Sequence, residues 1–258
     1  MPDTLTLDQT TAAQRQARID LAAAHRLAVE HGFSEGIFNH LTLAVPGKPD
    51  RYYQIPFGLH WSEVTASCFM EVGFDGKVLA GEGEVEQSGF CIHAPIHRLV
   101  PRHACVLHTH QPYASALARL EEQEILPIGQ TEIGFLDKIA YDHTYTGPAL
   151  DPAEGERLAA VIGPDNKVLF MANHGVLVCG ETVAEAYDLL YYLERAAQVQ
   201  LYAMWTGRKL REVKPAVVEH TLSQYQACWP DYGNKPSYQH HFDALKRLLD
   251  KREPDYKE

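Results

Sequence analysis

Ala104-Cys105-Val106-Leu107-His108-Thr109-His110 and Val168-Leu169-Phe170-Met171-Ala172-Asn173-His174-Gly175 follow one pattern, a short apolar run that stops at histidine. Short apolar runs of this kind read as buried strands. On a strand, residues i and i+2 point to the same face, so His108 and His110 can reach one ion. The C-terminal end of a strand in an α/β sheet is a usual place for a functional site. Two strands that deliver three imidazoles to one sheet edge form a three-nitrogen site for a divalent transition metal, with positions left open for substrate. A single H-x-H is a weak signal. The third histidine after a second buried strand strengthens it, although spacing alone names no reaction.

Outward from these strands, helical and strand periods alternate along the chain. Helical spacing predicts a helix over Gln14 to His31, stopped by Gly32. Strands are expected at Ile37 to Val45 and Tyr52 to Ile55, and Val64 to Ser67 is ambiguous. Phe69 to Leu79 reads as a hairpin around Asp75-Gly76. A helix is expected from Ser88 to Val100, where Pro95 fits only if it falls in the first turn. Helices follow at Tyr113 to Leu120 and Pro152 to Ile162, with weaker strand or loop segments at Ile125 to Ile128 and Ile133 to Ile139. Thr182-Val183-Ala184-Glu185 is a capping box that opens a long helix to about Trp205. Beyond Gly207 the chain is punctuated by proline and ends in an amphipathic helix with Phe242, Leu245, Leu248 and Leu249, then a charged tail. Lys246-Arg247 and Lys251-Arg252, interleaved with acids, read as a solvated helix face. Strands and helices mixed throughout predict the α/β class.

The composition narrows the function. The chain has 258 residues, 45% of them hydrophobic, enough for a substantial core. Its 23 basic and 34 acidic side chains leave a formal charge of −11, which disfavours nucleic acid or an anionic membrane as partner. No apolar run approaches the roughly 20 residues of a membrane span, and Met1 to Gln16 lacks the features of a secretory signal. Cys68, Cys91, Cys105, Cys179 and Cys228 form no C-x-x-C pair and are odd in number. They read as free thiols in a reducing cytoplasm.

Leu107-His108-Thr109-His110, then Asn173-His174-Gly175-Val176 and Gly180 before a capped helix, resemble the class II aldolase/adducin family. The resemblance runs from the first helix to about Trp205. It implies a three-layer α/β/α sandwich around a central mixed β-sheet, built as a single domain over 1–258 with a core of about 14–206 and a C-terminal extension from 207. It further implies a homotetramer with sites between subunits. The implied metal is zinc first, with manganese or iron as alternatives, held by His108, His110 and His174.

The chain also departs from the family's sugar-phosphate aldolases. Their catalytic glutamate falls within Gln87-Ser88-Gly89-Phe90, at Gly89, which can neither shuttle a proton nor coordinate a metal. Glu84 and Glu86 lie just upstream as substitutes, and Ser88 is a substrate-binding candidate. The family's Gly-Asn turn is Phe38-Asn39 here, with Asn39 matching. Its Thr-Gly turn is Phe57-Gly58, followed by His60-Trp61. Aromatic surface in place of hydroxyls favours a substrate less phosphorylated and more apolar than a simple sugar phosphate, although Phe57 and Trp61 read first as core. His93 and His97 share a helix face at i, i+4, and His93 is the better substrate-contacting candidate. Tyr141 resembles the tyrosine that donates a proton in some family members, with His143 and Tyr145 close enough to confuse the assignment. Gly81-Glu82-Gly83-Glu84-Val85-Glu86 superficially suggests a phosphate loop, but its three carboxylates would repel a phosphate.

Together these features predict a metal-dependent C–C lyase. It would act on a small hydroxy-carbonyl or hydroxy-acid substrate, by retro-aldol cleavage or decarboxylation through a metal-stabilised enolate. Two alternatives stand beside it: a three-histidine iron oxygenase on the same fold, and a non-catalytic adducin-like scaffold.

Overall fold

The computed structural model describes residues 11–228, 231–232 and 235–258; the side chain of Cys228 and most of the segment read for a secretory signal lie outside the described residues. Helix α1 (Ala12–Glu30) opens on a reciprocal cap, in which Thr11 Oγ1 accepts the Gln14 N–H and Gln14 Oε1 accepts the Thr11 N–H. Strands β1 (His40–Ala44), β2 (Arg51–Gln54), β3 (Met70–Gly73) and β4 (Val78–Ala80) follow, then α2 (Gln87–Leu99), β5 (Cys105–Thr109), α3 (Pro112–Leu117) and α4 (Gln130–Ile133). After these come β6 (Ile139–Asp142), α5 (Pro152–Ile162), β7 (Val168–Met171), β8 (Val176–Gly180), α6 (Val183–Trp205), α7 (Pro215–Cys228) and α8 (Ser237–Arg252).

These eight strands form one sheet in the order β4-β3-β2-β1-β5-β8-β7-β6, and a separate two-stranded pair, Asp231–Tyr232 with Lys235–Pro236, precedes α8. The β6–β7 pair is parallel and the other pairs are antiparallel, so the sheet is mixed. Side-chain alternation sends Leu107, Phe170 and Val178 into a core shared with α1, α3, α6 and α8. Val106, Leu169 and Leu177 point the other way, onto α2 and α5. These are the three layers that the resemblance implied. Strand β5 lies at the centre and is buried along its whole length, with His40 of β1 opposite His108 on one side and Leu177 of β8 opposite it on the other.

Several boundaries differ from the sequence expectation. Strand β1 begins at His40 because Asn39 takes φ 71°, which breaks the extended run expected from Ile37. Val64 to Ser67 is not a strand, and the 133–139 segment contributes strand only from Ile139. Pro95 sits well inside α2, not in its first turn. A proline there leaves the Cys91 carbonyl without its helical donor, and α5 packs a glycine against that carbonyl. A Cβ on Gly155 would lie 2.0 Å from Cys91 O, so the close approach requires glycine. The α6 cap is also shifted. Thr182 Oγ1 accepts the Glu185 N–H, but the Glu185 carboxylate accepts the N–H of Glu181 and not that of Thr182.

The C-terminal charges are more engaged than a solvated face. Lys246 pairs with Asp20 at 2.7 Å, Arg252 pairs with Glu30, and buried Arg26 reaches Glu253 at 2.9 Å and Asp255 at 2.8 Å, while Arg247 and Lys251 remain exposed. These pairs fasten α8 and the chain end to α1. None of the described helices is long and apolar enough to cross a membrane.

Candidate metal centre

His108 and His110 leave the end of β5 on one face, as their spacing predicts. His174 reaches the same point from the turn between β7 and β8, where Asn173 takes φ 57° and Met171 N–H bonds to Gly175 O. Gly175 allows this approach, since a Cβ there would lie 2.7 Å from His110 Cδ2 and 2.7 Å from Thr109 O. Ring nitrogens of the three histidines lie within 4.8 Å of one another.

The surroundings prepare these rings as ligands. His108 Nδ1 is 2.9 Å from Val176 O; a carbonyl only accepts, so the proton is on Nδ1 and Nε2 keeps its lone pair. His110 Nδ1 makes a short bond to the Glu35 carboxylate, which fixes its tautomer in the same way. Its Nε2 is buried and has no hydrogen-bond partner among the described residues. The His110 backbone N–H is held by Asn39 Oδ1 at 3.0 Å. Burial, then the neighbouring imidazoles, push the pKa of His108 well below the ordinary value. Burial, then His110 and Arg119, bring His174 down to about 4. Both are neutral at pH 7, the form that binds a cation. A divalent transition metal fits this donor set.

The candidates around the triad fall into two groups. Close to it, His40 lies nearly parallel to His108, with ring centroids 6.0 Å apart at 18°, and edge-on to His93 at 5.5 Å. The His40 ring fills the space beside Gly89, where a Cβ would lie 2.5 Å from His40 Cδ2. Glu86 caps α2: it accepts the Gly89 N–H at 2.6 Å and the Ser88 hydroxyl at 2.9 Å, and stands 2.7 Å from His40 Nε2. Burial opposes its charge, but His40, the Gly89 N–H and Ser88 outweigh burial and hold its pKa at about 2. Thus Glu86, not Glu84, meets this group; the Glu84 backbone carbonyl accepts the Phe57 N–H.

The second group lies deeper or elsewhere. His93 and His97 are buried, and both bond through one ring nitrogen to Thr42 Oγ1, at 2.7 and 2.8 Å. Gly58 occupies an open turn at φ 90°. Tyr141 belongs to the opposite sheet face, against Phe170 at 5.4 Å, and its hydroxyl accepts the Ile125 N–H. Burial raises its pKa to about 12. Within one chain the sheet therefore separates Tyr141 from the triad. Tyr145 instead lines a shallow cleft beside His174, with Asp142, Glu154, Met171 and Ala172. Asp142 and Glu154 both grip Arg157 there. Trp61 is fully buried, as read, whereas Phe57 is 42% exposed and not core.

A sequence profile described as the class II aldolase and adducin N-terminal domain matches residues 19–201. A provisionally named class 2 aldolase protein of Pseudomonas aeruginosa is 34% identical over 97% of this chain and 95% of its own length. Rat (Rattus norvegicus) alpha-adducin is 31% identical over 92% of this chain, which spans 33% of that protein. The crystal structure of an aldolase II superfamily protein from Pseudomonas syringae superposes with a TM-score of 0.88 at 33% identity, covering 97% of this chain and 98% of that one. The three-layer fold thus has its counterpart in a solved structure, and the chain belongs to the class II aldolase and adducin family.

Proposed function

We propose that the protein is a metal-dependent C–C lyase of the class II aldolase type, acting on a small hydroxy-carbonyl or hydroxy-acid substrate by retro-aldol cleavage or decarboxylation. The observation that carries this reading is the convergence of His108, His110 and His174, with the protons of two rings fixed away from the common centre. A divalent ion bound there, zinc in this proposal, supplies a Lewis acid for adjacent substrate oxygens and offsets the charge that develops as the C–C bond breaks. Val176 O and Glu35 orient His108 and His110. Burial keeps His108 and His174 neutral. Glu86 Oε2 stands 2.7 Å from Nε2 of His40, whose ring lies against the face of His108, and this supports Glu86 as the carboxylate acting in place of the glutamate missing at Gly89. A homotetramer and a small-molecule substrate complete the proposal.

Elemental analysis after purification without added metal tests it, followed by a screen of hydroxy-keto acids with and without phosphate. The expected result is one equivalent of transition metal per chain and cleavage of at least one acid. A second reading, a non-catalytic adducin-like scaffold, is favoured by the filled space at Gly89. No bound metal together with unchanged folding would select it and refute the lyase.

A further inference from the structure

The rim of the triad is chemically uneven. On the His110 side, the turn from Glu35 to Asn39 wraps the histidine: Glu35 bonds its Nδ1, Asn39 its N–H, and Phe38 N–H closes the turn on Glu35 O. Phe38 stands on this turn with 56% of its surface exposed, and its ring meets that of Phe57 at 6.4 Å. Ile37, 37% exposed, precedes Phe38 on the same turn and adds to this apolar surface. Large apolar side chains held together at the edge of a polar site are binding surface more readily than packing, because packing would bury them.

On the His174 side stands a cation. Asn173 N–H bonds to Ala118 O at 2.8 Å, which brings the end of α3 against the His174 turn. Arg119 follows directly in the chain. It is exposed, and Nη1 donates to Ser115 O at 2.7 Å. Among the described residues no carboxylate pairs with it, which leaves donors of the guanidinium fork available to a ligand. One guanidinium at this point suits the single charge of a carboxylate.

We propose that the site takes a carboxylate substrate bearing an aryl or similarly bulky apolar group, Arg119 receiving the carboxylate and Phe38 with Phe57 the apolar group. This rests on the triad being the reaction centre and narrows the class of hydroxy acid that it serves.

Calorimetric titration tests the proposal with 3-phenyllactate, lactate, 3-phenyllactamide and phenyl phosphate as probes, on zinc-loaded and on chelator-stripped protein. Phenyllactate binds about tenfold more tightly than lactate, the size of one aromatic contact set. It also binds about tenfold more tightly than its uncharged amide, the size of one charge-assisted pair. Phe38→Ala with Phe57→Ala closes the first gap only, and Arg119→Gln the second only, in stripped protein as in loaded protein. All three side chains are exposed, so these variants fold. Equal binding of phenyllactate and lactate, or tighter binding of phenyl phosphate than of phenyllactate, would overturn the assignment. So would a change of oligomeric state in the phenylalanine variant with its ligand preference intact. Absence of turnover with this affinity order intact counts against the lyase alone, and turnover without the order counts against the present inference alone.

Discussion

Replacing Gly89 by alanine sets a methyl group against the His40 imidazole. The added carbon would lie 2.5 Å from Cδ2 and 2.7 Å from Cγ, where carbon–carbon contact settles near 3.5–4.0 Å, so the ring must retreat by about 1 Å. It has little room, since His108 lies against its face, His93 meets it edge-on and Glu86 is 2.7 Å from Nε2. Overpacking of this kind costs about 1–3 kcal/mol. The backbone contributes little, since Gly89 is helical and alanine favours helix. Urea unfolding measures the loss, and chelator competition reads whether the displaced ring disturbs His108 as a ligand. His40→Ala removes the obstacle, so in the double variant Gly89→Ala becomes nearly neutral and the coupling between the two changes is about 1–2 kcal/mol. Additive effects of the two substitutions would refute the steric argument, and with it the claim that His40 occupies the space of a side chain at position 89.

The remaining predictions are shorter. His108→Ala and His174→Ala each strip the metal without unfolding the chain, and full occupancy in either variant removes that residue from the ligand set. A strong chelator destabilises the wild type but not His174→Ala, by about 2.7 kcal/mol of unfolding free energy where free metal had stood at a hundred times its dissociation constant; equal responses refute the site. Tyr141→Phe removes an acceptor for Ile125 N–H, costs about 1 kcal/mol of stability and leaves turnover intact. A large loss of turnover at full metal content would return Tyr141 to the role of proton donor. Stability also falls in acid. Burial holds His25 at about 4 and His97 at about 3, below the ordinary 6.5, so the unfolded chain takes up protons that the fold does not. Each therefore removes up to about 1.4 kcal/mol per pH unit as pH drops from about 6.5 to its folded pKa. His25→Leu flattens that slope between pH 6.5 and 4, and an unchanged slope in urea titrations excludes the residue.

Much of the fold and the triad was legible in local sequence. Helix α5 begins and ends where Pro152 and Ile162 said it would, and the Asp75-Gly76 hairpin turns with Gly76 at φ 81°. The three histidines were readable because strand parity and strand ends are local properties. Strand β8 is hidden in the sequence because Val176 to Gly180 runs on directly from the Asn173-His174-Gly175 motif, with no turn residue between them to mark a strand of its own. Helix α7 has no sustained apolar stripe, so its sequence carries no helical period to detect. Tyr141 illustrates a different limit. Its face is set by pairing with Phe170 on β7, a register that the sequence of β6 does not contain. Glu35 and His110 are 75 residues apart, and Arg119 is brought toward the His174 turn by the bond from Asn173 N–H to Ala118 O. Single polar residues joined by the fold leave no spacing to read.

The Gly89 departure has a different meaning in space than in sequence. Along the chain a carboxylate is missing from position 89, which argues for a scaffold. In the fold, Glu86 sits one helical turn earlier, and its side chain folds over the first turn of α2 to reach Gly89 N–H itself. The glycine leaves room for His40, which extends that carboxylate to the face of His108. A scaffold that had simply shed its acid would have no reason to hold an ionised glutamate, half-buried, against an imidazole stacked on a metal-ligand candidate. Ionised groups are costly to bury unless paired. The charge at Glu86 persists because His40, Ser88 and the helix N-terminus together stabilise it. Under the lyase proposal, position 89 supplies space, position 86 the charge and position 40 the reach, a division among three residues of the part that one glutamate would play.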